Sequence, residues 1–94
     1  MQDFNGKVAV ITGGSSGVGR SLAFALGRLG AKVVVGDVDR AAMERIQSDL
    51  AAENIEALVE HCDVTAADSL NALADKTEQA FGGIHVVFAN AGIS

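Results

Sequence analysis

The chain has 94 residues, of which 49% are hydrophobic, and it carries a formal net charge of −5 at pH 7. This size and composition are typical of one small domain, or of part of a larger one, with enough apolar residues for a packed core. They argue against a disordered chain, and the acidic charge argues against nucleic acid or an anionic membrane as the main partner.

The cysteine content and the chain's apolar runs indicate where the protein resides. Cys62 is the only cysteine, so no disulfide can form within the chain, and a reducing compartment is expected. The N-terminal stretch MQDFNGK lacks the basic patch and apolar run of a signal peptide. No apolar run is long enough to span a bilayer. We therefore expect a cytoplasmic chain without a membrane partner.

Four short apolar runs predict β-strands. They are KVAVIT, KVVVGD, EALVEHC and IHVVFAN, at residues 7–12, 32–37, 56–62 and 84–90. The first, second and fourth are rich in β-branched residues and nearly continuous in apolar ones. Such runs are typical of strands that are covered on both faces of a sheet.

Apolar residues at helical spacing fill the three gaps between these runs. The three stripes are Val18, Leu22, Leu26 and Leu29; Met43, Ile46 and Leu50; and Leu70, Leu73, Ala74, Thr77 and Phe81. Gly30 and Gly82 are expected to end the first and third helices. Asp39 is expected to cap the second helix, and Thr65, with Asp68 three residues later, to cap the third.

The elements alternate in the order β-α-β-α-β-α-β, which predicts an α/β fold with a parallel sheet. Because crossovers between parallel strands are right-handed, the leading arrangement is a Rossmann-like, doubly wound sheet with the first strand inside. The fourth strand then begins the other half of the sheet. No repeat or linker divides the chain, so residues 1–94 are expected to form a single domain.

The junction between the first strand and the first helix, TGGSSGVG at residues 12–19, is rich in glycine and serine. Gly13, Gly14, Gly17 and Gly19 lack the side chains that would block a close approach to the backbone. The free N–H groups and the positive dipole end of the following helix favour an anion. The loop therefore predicts a phosphate site, against the simpler alternative of a tight turn.

Two classes of phosphate ligand compete for this loop. Residues 14–21, GSSGVGRS, approximate the loop of a nucleoside triphosphatase, but Arg20 replaces the lysine, and its planar fork is a poor substitute for a compact ammonium. Asp37 ends the second strand roughly 20 residues after the glycines, where a dinucleotide site places the acid that binds the ribose. A carboxylate there repels a 2′-phosphate, which favours NAD over NADP.

Three motifs together resemble the N-terminal part of the short-chain dehydrogenase/reductase family. They are TGGSSGVG at 12–19, CDVT at 62–65 after the third strand and NAG at 90–92 after the fourth. The resemblance covers the whole chain. It implies a dinucleotide-binding domain, the cofactor-binding part of a longer oxidoreductase that transfers hydride between NAD and an alcohol or ketone.

The resemblance also implies which residues contact the cofactor. Those around the pyrophosphate and the adenosine ribose are Gly13, Ser15, Ser16, Gly17, Val18 and Gly19. Those at the ribose and adenine are Asp37, Val38, Asp63 and Val64. Those under the ribose and nicotinamide are Asn90, Ala91 and Gly92. Relatives that use NADP often carry a basic residue where this chain has Ser16 or Val38, which again favours NAD.

The chain departs from the family pattern at three points. Ala89 stands where the last motif usually has a first Asn, so one amide that anchors the sheet is missing, and His85 stands where the family often has Asp. The family's catalytic Ser and Tyr-x-x-x-Lys have no counterpart, since the chain contains no Tyr. We therefore predict no catalytic residue and no activity for this chain alone. A non-catalytic nucleotide-binding or self-associating fragment and a nucleoside triphosphatase remain as alternatives.

Two further features bear on ligands and partners. His61, Cys62 and Asp63 are adjacent on a predicted strand, where neighbouring side chains point to opposite faces, so no metal site is expected. The fourth strand is an apolar, weakly charged segment at an expected sheet edge. We therefore expect the chain to self-associate through this edge, as a dimer or a larger oligomer.

Overall fold

A computed structural model describes residues 4–90 of the chain. The elements are β1 (Val8–Thr12), α1 (Gly17–Arg28), β2 (Lys32–Asp37), α2 (Arg40–Ala52), β3 (Ala57–His61), α3 (Ala67–Phe81) and β4 (Val86–Ala89). This is the predicted element order, with the first, third and fourth strands shorter than the apolar runs that predict them. Among the described helices, none combines the length and apolar character needed to cross a bilayer.

The four strands form one parallel sheet in the order β3-β2-β1-β4. In its register, Val10 of β1 lies opposite Val34 of β2 on one side and Val87 of β4 on the other. The chain thus builds outward from β1 to β3 and then returns to the far side of β1. The predicted α/β, Rossmann-like architecture with an interior first strand is confirmed.

Helices α1 and α2 cover one face of the sheet. The buried residues packed there include Ala9, Ile11, Val33 and Val35 from the strands and Phe24, Leu26, Ile46 and Leu50 from the helices. These strand residues are two positions apart within β1 and within β2, as expected for side chains on one face of a strand. The intervening residues therefore face the opposite side of the sheet.

Helix α3 covers the opposite face, over β2 and β3. Its Leu73 packs with Cys62 and with Val8, Val10 and Val34 of the sheet. Gly36 makes this close packing feasible, because an added Cβ would lie 2.8 Å from Leu73 Cδ2 and 2.9 Å from Cys62 Cβ. The buried Cys62 therefore serves as a small apolar core residue.

Three helix ends agree with the sequence and one does not. Gly30 and Gly82 have φ of +100° and +80° at the ends of α1 and α3, and the Asp39 carboxylate accepts a hydrogen bond from the Ala42 N–H at 3.1 Å. The predicted cap at Thr65 is wrong. Helix α3 begins two residues later, and the Thr65 hydroxyl instead donates a hydrogen bond to Asp63 Oδ1 at 2.6 Å.

The predicted apolar faces need two corrections. In α1, Val18 and Leu29 are 75% and 51% exposed, because the helix turns Ala23, Phe24 and Leu26 toward the sheet and leaves both ends of the predicted stripe outside. Strand β4 is covered on one face only. Val86 and Phe88 pack against the α1 and α2 side, whereas Val87 is 60% exposed, since α3 lies over β2 and β3.

His85, directly before β4, makes the first hydrogen bonds between this segment and β1. Its backbone N–H donates to the Val8 carbonyl at 2.9 Å, and its ring Nδ1 accepts a hydrogen bond from the Val8 N–H at 2.9 Å. The imidazole thus supplies an acceptor at the position where the family often has a carboxylate. It ties the edge strand to the buried strand β1.

We expect His85→Ala to lower the free energy of unfolding by about 1–2 kcal/mol, because the Val8 N–H loses its acceptor beside the core. His85→Asp restores an acceptor and should recover most of the loss. Urea unfolding followed by circular dichroism measures both. His61→Ala, which removes an exposed ring at the end of β3, is the control. Equal losses in the His85→Ala and His61→Ala variants would contradict the role of this hydrogen bond.

Candidate functional site

The predicted site residues that lie within residues 4–90 gather at the carboxyl ends of β1, β2, β3 and β4. Strand β1 has β2 on one side and β4 on the other, so the strand order reverses at this point. In open α/β sheets, ligands bind at the carboxyl ends of the strands where the order reverses. The glycine loop, residues 13–16, lies at this position and leads directly into α1.

Glycine occurs in and beside this loop for different structural reasons. Gly13 and Gly17 have φ of +67° and +58°, a region that residues with a side chain seldom adopt. Gly19 lies under the loop, where an added Cβ would be 2.4 Å from the Gly13 oxygen. Gly14 differs from the expectation that it leaves room for a ligand. A Cβ added to Gly14 would point at the core and lie 3.0 Å from Ile11 Cγ2.

Asn90 joins the end of β4 to the glycine loop. Its side-chain Nδ2 donates a hydrogen bond to the Gly13 carbonyl at 3.0 Å, and its backbone N–H donates to the Thr12 carbonyl at 3.2 Å. An added Cβ on Gly19 would also lie 2.8 Å from this amide nitrogen. Three predicted site residues, Gly13, Gly19 and Asn90, are therefore in mutual contact.

Asp37 is bonded to the same loop from the β2 side. The backbone N–H of Ser15 donates to Asp37 Oδ2 at 3.1 Å, and the Ser15 hydroxyl donates to the same oxygen. Asp37 Oδ1 accepts the Val38 N–H at 2.7 Å. Burial raises the pKa of Asp37, but the hydrogen bonds from Ser15 and Val38 outweigh it, so the pKa lies below its ordinary value.

The CDVT segment brings Asp63 to the neighbouring strand end. Asp63 Oδ1 accepts hydrogen bonds from the Thr65 hydroxyl and the Thr65 N–H, and these lower the pKa of Asp63. The Cys62 N–H donates to the Asp37 carbonyl at 2.8 Å, which fixes this segment beside the end of β2. Both acidic side chains are thus held in their ionised form at one edge of the sheet.

Exposed valines surround this edge. Val18 follows the glycine loop, Val38 follows β2 and Val64 follows β3, and their exposed fractions are 75%, 59% and 37%. They are half of the six large hydrophobic residues that are exposed in residues 4–90. Apolar side chains that converge on a polar, glycine-rich loop form a surface suited to a flat apolar group beside a phosphate.

Arg20, which occupies the lysine position of a triphosphatase loop, faces α2. Its guanidinium lies 2.5 Å from Asp49 Oδ2 and 4.9 Å from the centre of the Phe24 ring, and Arg28 lies against the same ring at 5.1 Å. These residues line a groove between α1 and α2. Arg20 therefore forms an ion pair between α1 and α2, and this does not match the role of a phosphate-binding lysine.

The remaining predictions concern Ala91, Gly92 and a metal site. Ala91 and Gly92 lie outside the described residues. His61, the last residue of β3, is exposed, whereas Cys62 directly after it is buried. Within residues 4–90, no three His, Cys, Asp or Glu side chains come together in a way that could hold a metal ion.

Known proteins resemble this chain in both sequence and fold. A family model described as short chain dehydrogenase matches residues 7–94. (+)-Borneol dehydrogenase 1 from Salvia officinalis is 41% identical over 88 residues, 94% of this chain and 33% of that enzyme. Secoisolariciresinol dehydrogenase from Forsythia intermedia is 38% identical over 89 residues, 95% of this chain and 31% of that enzyme. The chain thus spans about a third of the length of these curated relatives.

Two solved structures extend the comparison to the fold. A short-chain dehydrogenase/reductase from Burkholderia phymatum in complex with NAD superposes with a TM-score of 0.89 at 42% identity, covering 93% of this chain and 31% of that one. A hydroxysteroid dehydrogenase from Escherichia coli gives a TM-score of 0.91 at 32% identity, covering 96% and 38%. Because the family model matches nearly all of its residues, the chain belongs to the short-chain dehydrogenase family.

Proposed function

We propose that residues 1–94 form the NAD(H)-binding domain of an oxidoreductase that transfers hydride between the nicotinamide and an alcohol or ketone. The observation that carries this proposal is the Asp37 carboxylate, which is kept ionised and is hydrogen-bonded to the glycine loop through Ser15. The Asp37 carboxylate, which can accept hydrogen bonds from a ribose, is thereby bonded to the glycine loop, whose N–H groups can bind a phosphate. A cytoplasmic location is part of the proposal.

The residues present fit the cofactor. The glycine loop and the N-terminus of α1 offer N–H groups and a positive dipole end to the pyrophosphate. Asp37 offers carboxylate oxygens to the adenosine ribose, and the exposed Val38 and Val64 offer apolar surface to the adenine. Ser16 and Val38 bring no positive charge to the ribose, which supports NAD over NADP.

The nicotinamide supplies the hydride acceptor or donor when the cofactor is bound. This chain's own contribution is binding and orientation. We assign it no proton-transfer group, because the 94 residues include no tyrosine and so lack the phenol that the family uses for that step. The substrate and the complete reaction are therefore assigned to the whole family protein rather than to this segment.

Calorimetric titration with NAD, NADP, AMP and ATP with magnesium tests the proposal. We expect binding of NAD that is tighter than that of NADP, and no hydride transfer to NAD from simple alcohols by the 94-residue chain. A clear preference for ATP with magnesium would overturn the dinucleotide assignment. Measurable hydride transfer would overturn the prediction that this chain binds the cofactor but does not catalyse the reaction by itself.

Arg20→Ala separates the dinucleotide proposal from the triphosphatase alternative. Since Arg20 pairs with Asp49 on α2, we expect NAD affinity to stay within about twofold and the free energy of unfolding to fall by less than about 1 kcal/mol, as for an exposed ion pair. Calorimetry and urea unfolding measure the two effects. Arg20→Lys recreates the triphosphatase pattern, and a gain of ATP binding in that variant would favour the alternative.

We also propose that the chain self-associates through β4. This strand lies at the edge of the described sheet, and Val87 leaves 60% of its surface exposed on the face that α3 does not cover. An apolar edge strand offers unpaired N–H and carbonyl groups to a second copy. A self-associating fragment without catalytic activity is compatible with this surface.

We expect Val87→Lys to shift the chain toward the monomer, because a charge on an edge strand opposes pairing with another strand. Sedimentation velocity over a concentration series measures the shift. Leu29→Lys is the matched control, since Leu29 is also an exposed apolar residue but lies at the end of α1. A monodisperse monomer before any substitution, or an equal shift in both variants, would contradict the role of β4.

A further inference from the structure

Ser15 is a buried polar residue whose two hydrogen-bond donors serve one acceptor. The residue is 3% exposed, and both its N–H and its hydroxyl donate to Asp37 Oδ2. The neighbouring Ser16 is exposed and makes no side-chain hydrogen bond at the N-terminus of α1. The two serines of the loop therefore differ, and only Ser15 engages the carboxylate.

The two oxygens of Asp37 have separate partners. Oδ2 is held by the glycine loop through Ser15, and Oδ1 accepts the Val38 N–H at 2.7 Å. Rotation about the Cα–Cβ bond is the motion that would move the charge, and because the two oxygens are bonded to two different chain segments, this rotation would break those bonds. The backbone N–H of Asp39 also stabilises the ionised carboxylate, so Asp37 has partners both in the glycine loop and in the segment after β2.

Ser15 is not required to hold the loop against β2. The Gly13 N–H donates to the Gly36 carbonyl at 2.7 Å and joins the same two segments through backbone atoms. The Ser15 N–H also remains when the hydroxyl is removed, so Ser15→Ala weakens the hold on Asp37 Oδ2 while one bond to that oxygen is kept. The hydroxyl therefore acts on the orientation of one side chain rather than on the position of the loop.

We propose that Ser15 is a specificity-determining residue that acts through Asp37: it holds the carboxylate in place, so that the charge cannot turn away from a 2′-phosphate. The inference rests on the proposed function and assigns the rejection of NADP to a pair of residues rather than to Asp37 alone. A carboxylate that is held less firmly can swing away from a 2′-phosphate and relieve the repulsion, whereas a firmly held one cannot. Ser15 is thus a positioning residue.

The test compares the affinities of NAD and NADP in Ser15→Ala, Asp37→Asn and the double variant. Loss of one hydrogen bond to a charged group corresponds to about tenfold, so we expect Ser15→Ala to reduce the preference for NAD by about tenfold, mainly through tighter NADP binding. Asp37→Asn should remove most of the preference. The double variant should match Asp37→Asn, since Ser15 acts only through the charge.

A purely structural role of Ser15 predicts a different pattern. In that case Ser15→Ala weakens both dinucleotides equally and has the same effect with Asn at position 37. Ser21→Ala, an exposed serine on α1, is the control and should leave both affinities unchanged. Carboxyl carbon NMR of the free protein gives a second readout, because removal of the hydroxyl should raise the pKa of Asp37.

The outcomes distinguish this inference from the proposed function. If the unmodified protein binds neither dinucleotide, the proposed function fails and the specificity role fails with it. If it binds NAD and Ser15→Ala leaves the ratio of affinities unchanged, only the role of Ser15 is overturned. The same holds if the effect of Ser15→Ala persists in the Asp37→Asn background.

Discussion

Gly19→Ala is expected to lower the free energy of unfolding by about 2–3 kcal/mol and to abolish dinucleotide binding under conditions where the unmodified chain binds. The new Cβ would lie 2.4 Å from the Gly13 oxygen and 2.7 Å from Gly14 Cα, both atoms of the backbone. No side-chain rotation relieves such a clash, so the glycine loop must move away from α1. Alanine favours a helix interior by only about 1 kcal/mol over glycine, which does not offset the clash.

Urea unfolding and calorimetry with NAD measure these two effects of Gly19→Ala. Gly83→Ala is the matched control, because Gly83 has no positive φ and an added Cβ there meets no atom within 4 Å. We expect that variant to keep its stability and its affinity. A Gly19→Ala variant as stable as the Gly83→Ala variant would show that the loop does not rest against the helix.

Asp37→Asn is expected to reduce NAD affinity about twentyfold, because a neutral amide replaces the charged acceptor for the ribose. Affinity for NADP should rise, since the repulsion of the 2′-phosphate is removed. Calorimetry with both dinucleotides measures the change. Asp75→Asn, at an exposed position on α3, is the control for the loss of one negative charge. Equal losses for NAD and NADP would contradict the ribose assignment.

The same carboxylate makes stability and binding depend on pH in a defined direction. Burial raises the pKa of Asp37, but the hydrogen bonds that its carboxylate accepts, among them those from Ser15 and Val38, lower it by more, so the folded-state pKa lies below the unfolded value of about 3.9. The stabilisation is therefore complete above about pH 5 and is lost as the pH falls through the folded-state pKa. In Asp37→Asn this part of the acid transition should disappear.

The architecture of the sheet could be predicted from the sequence because its signals are local. Continuous β-branched runs indicate buried strands, and glycines at helix ends indicate where helices stop, so order and topology follow from right-handed crossovers. Coverage of β4 could not be predicted, since it depends on where α3 packs. The cap at Thr65 failed because the nearby Asp63 carboxylate competes for the same hydroxyl.

The site could be predicted in part, for a related reason. The glycine loop and Asp37 carry spacings that follow from the shape of a dinucleotide. The hydrogen bonds between Ser15 and Asp37, and from Asn90 to Gly13, join distant segments and leave no periodic signal. The hydrogen bond from the Val8 N–H to the His85 ring likewise leaves no signal in the sequence. Such contacts become visible only when the strands are placed side by side.

The hydrogen bond from Asn90 to Gly13 has a consequence for the order in which the chain folds. Strands β1, β2 and β3 are joined by successive crossovers, whereas β4 must return past them to pair with β1. Closing this long segment costs more chain entropy than any contact between successive elements. During synthesis the glycine loop is therefore made first but receives its last structural support only when the end of β4 docks. Among the described elements, β4 is therefore expected to complete the site last.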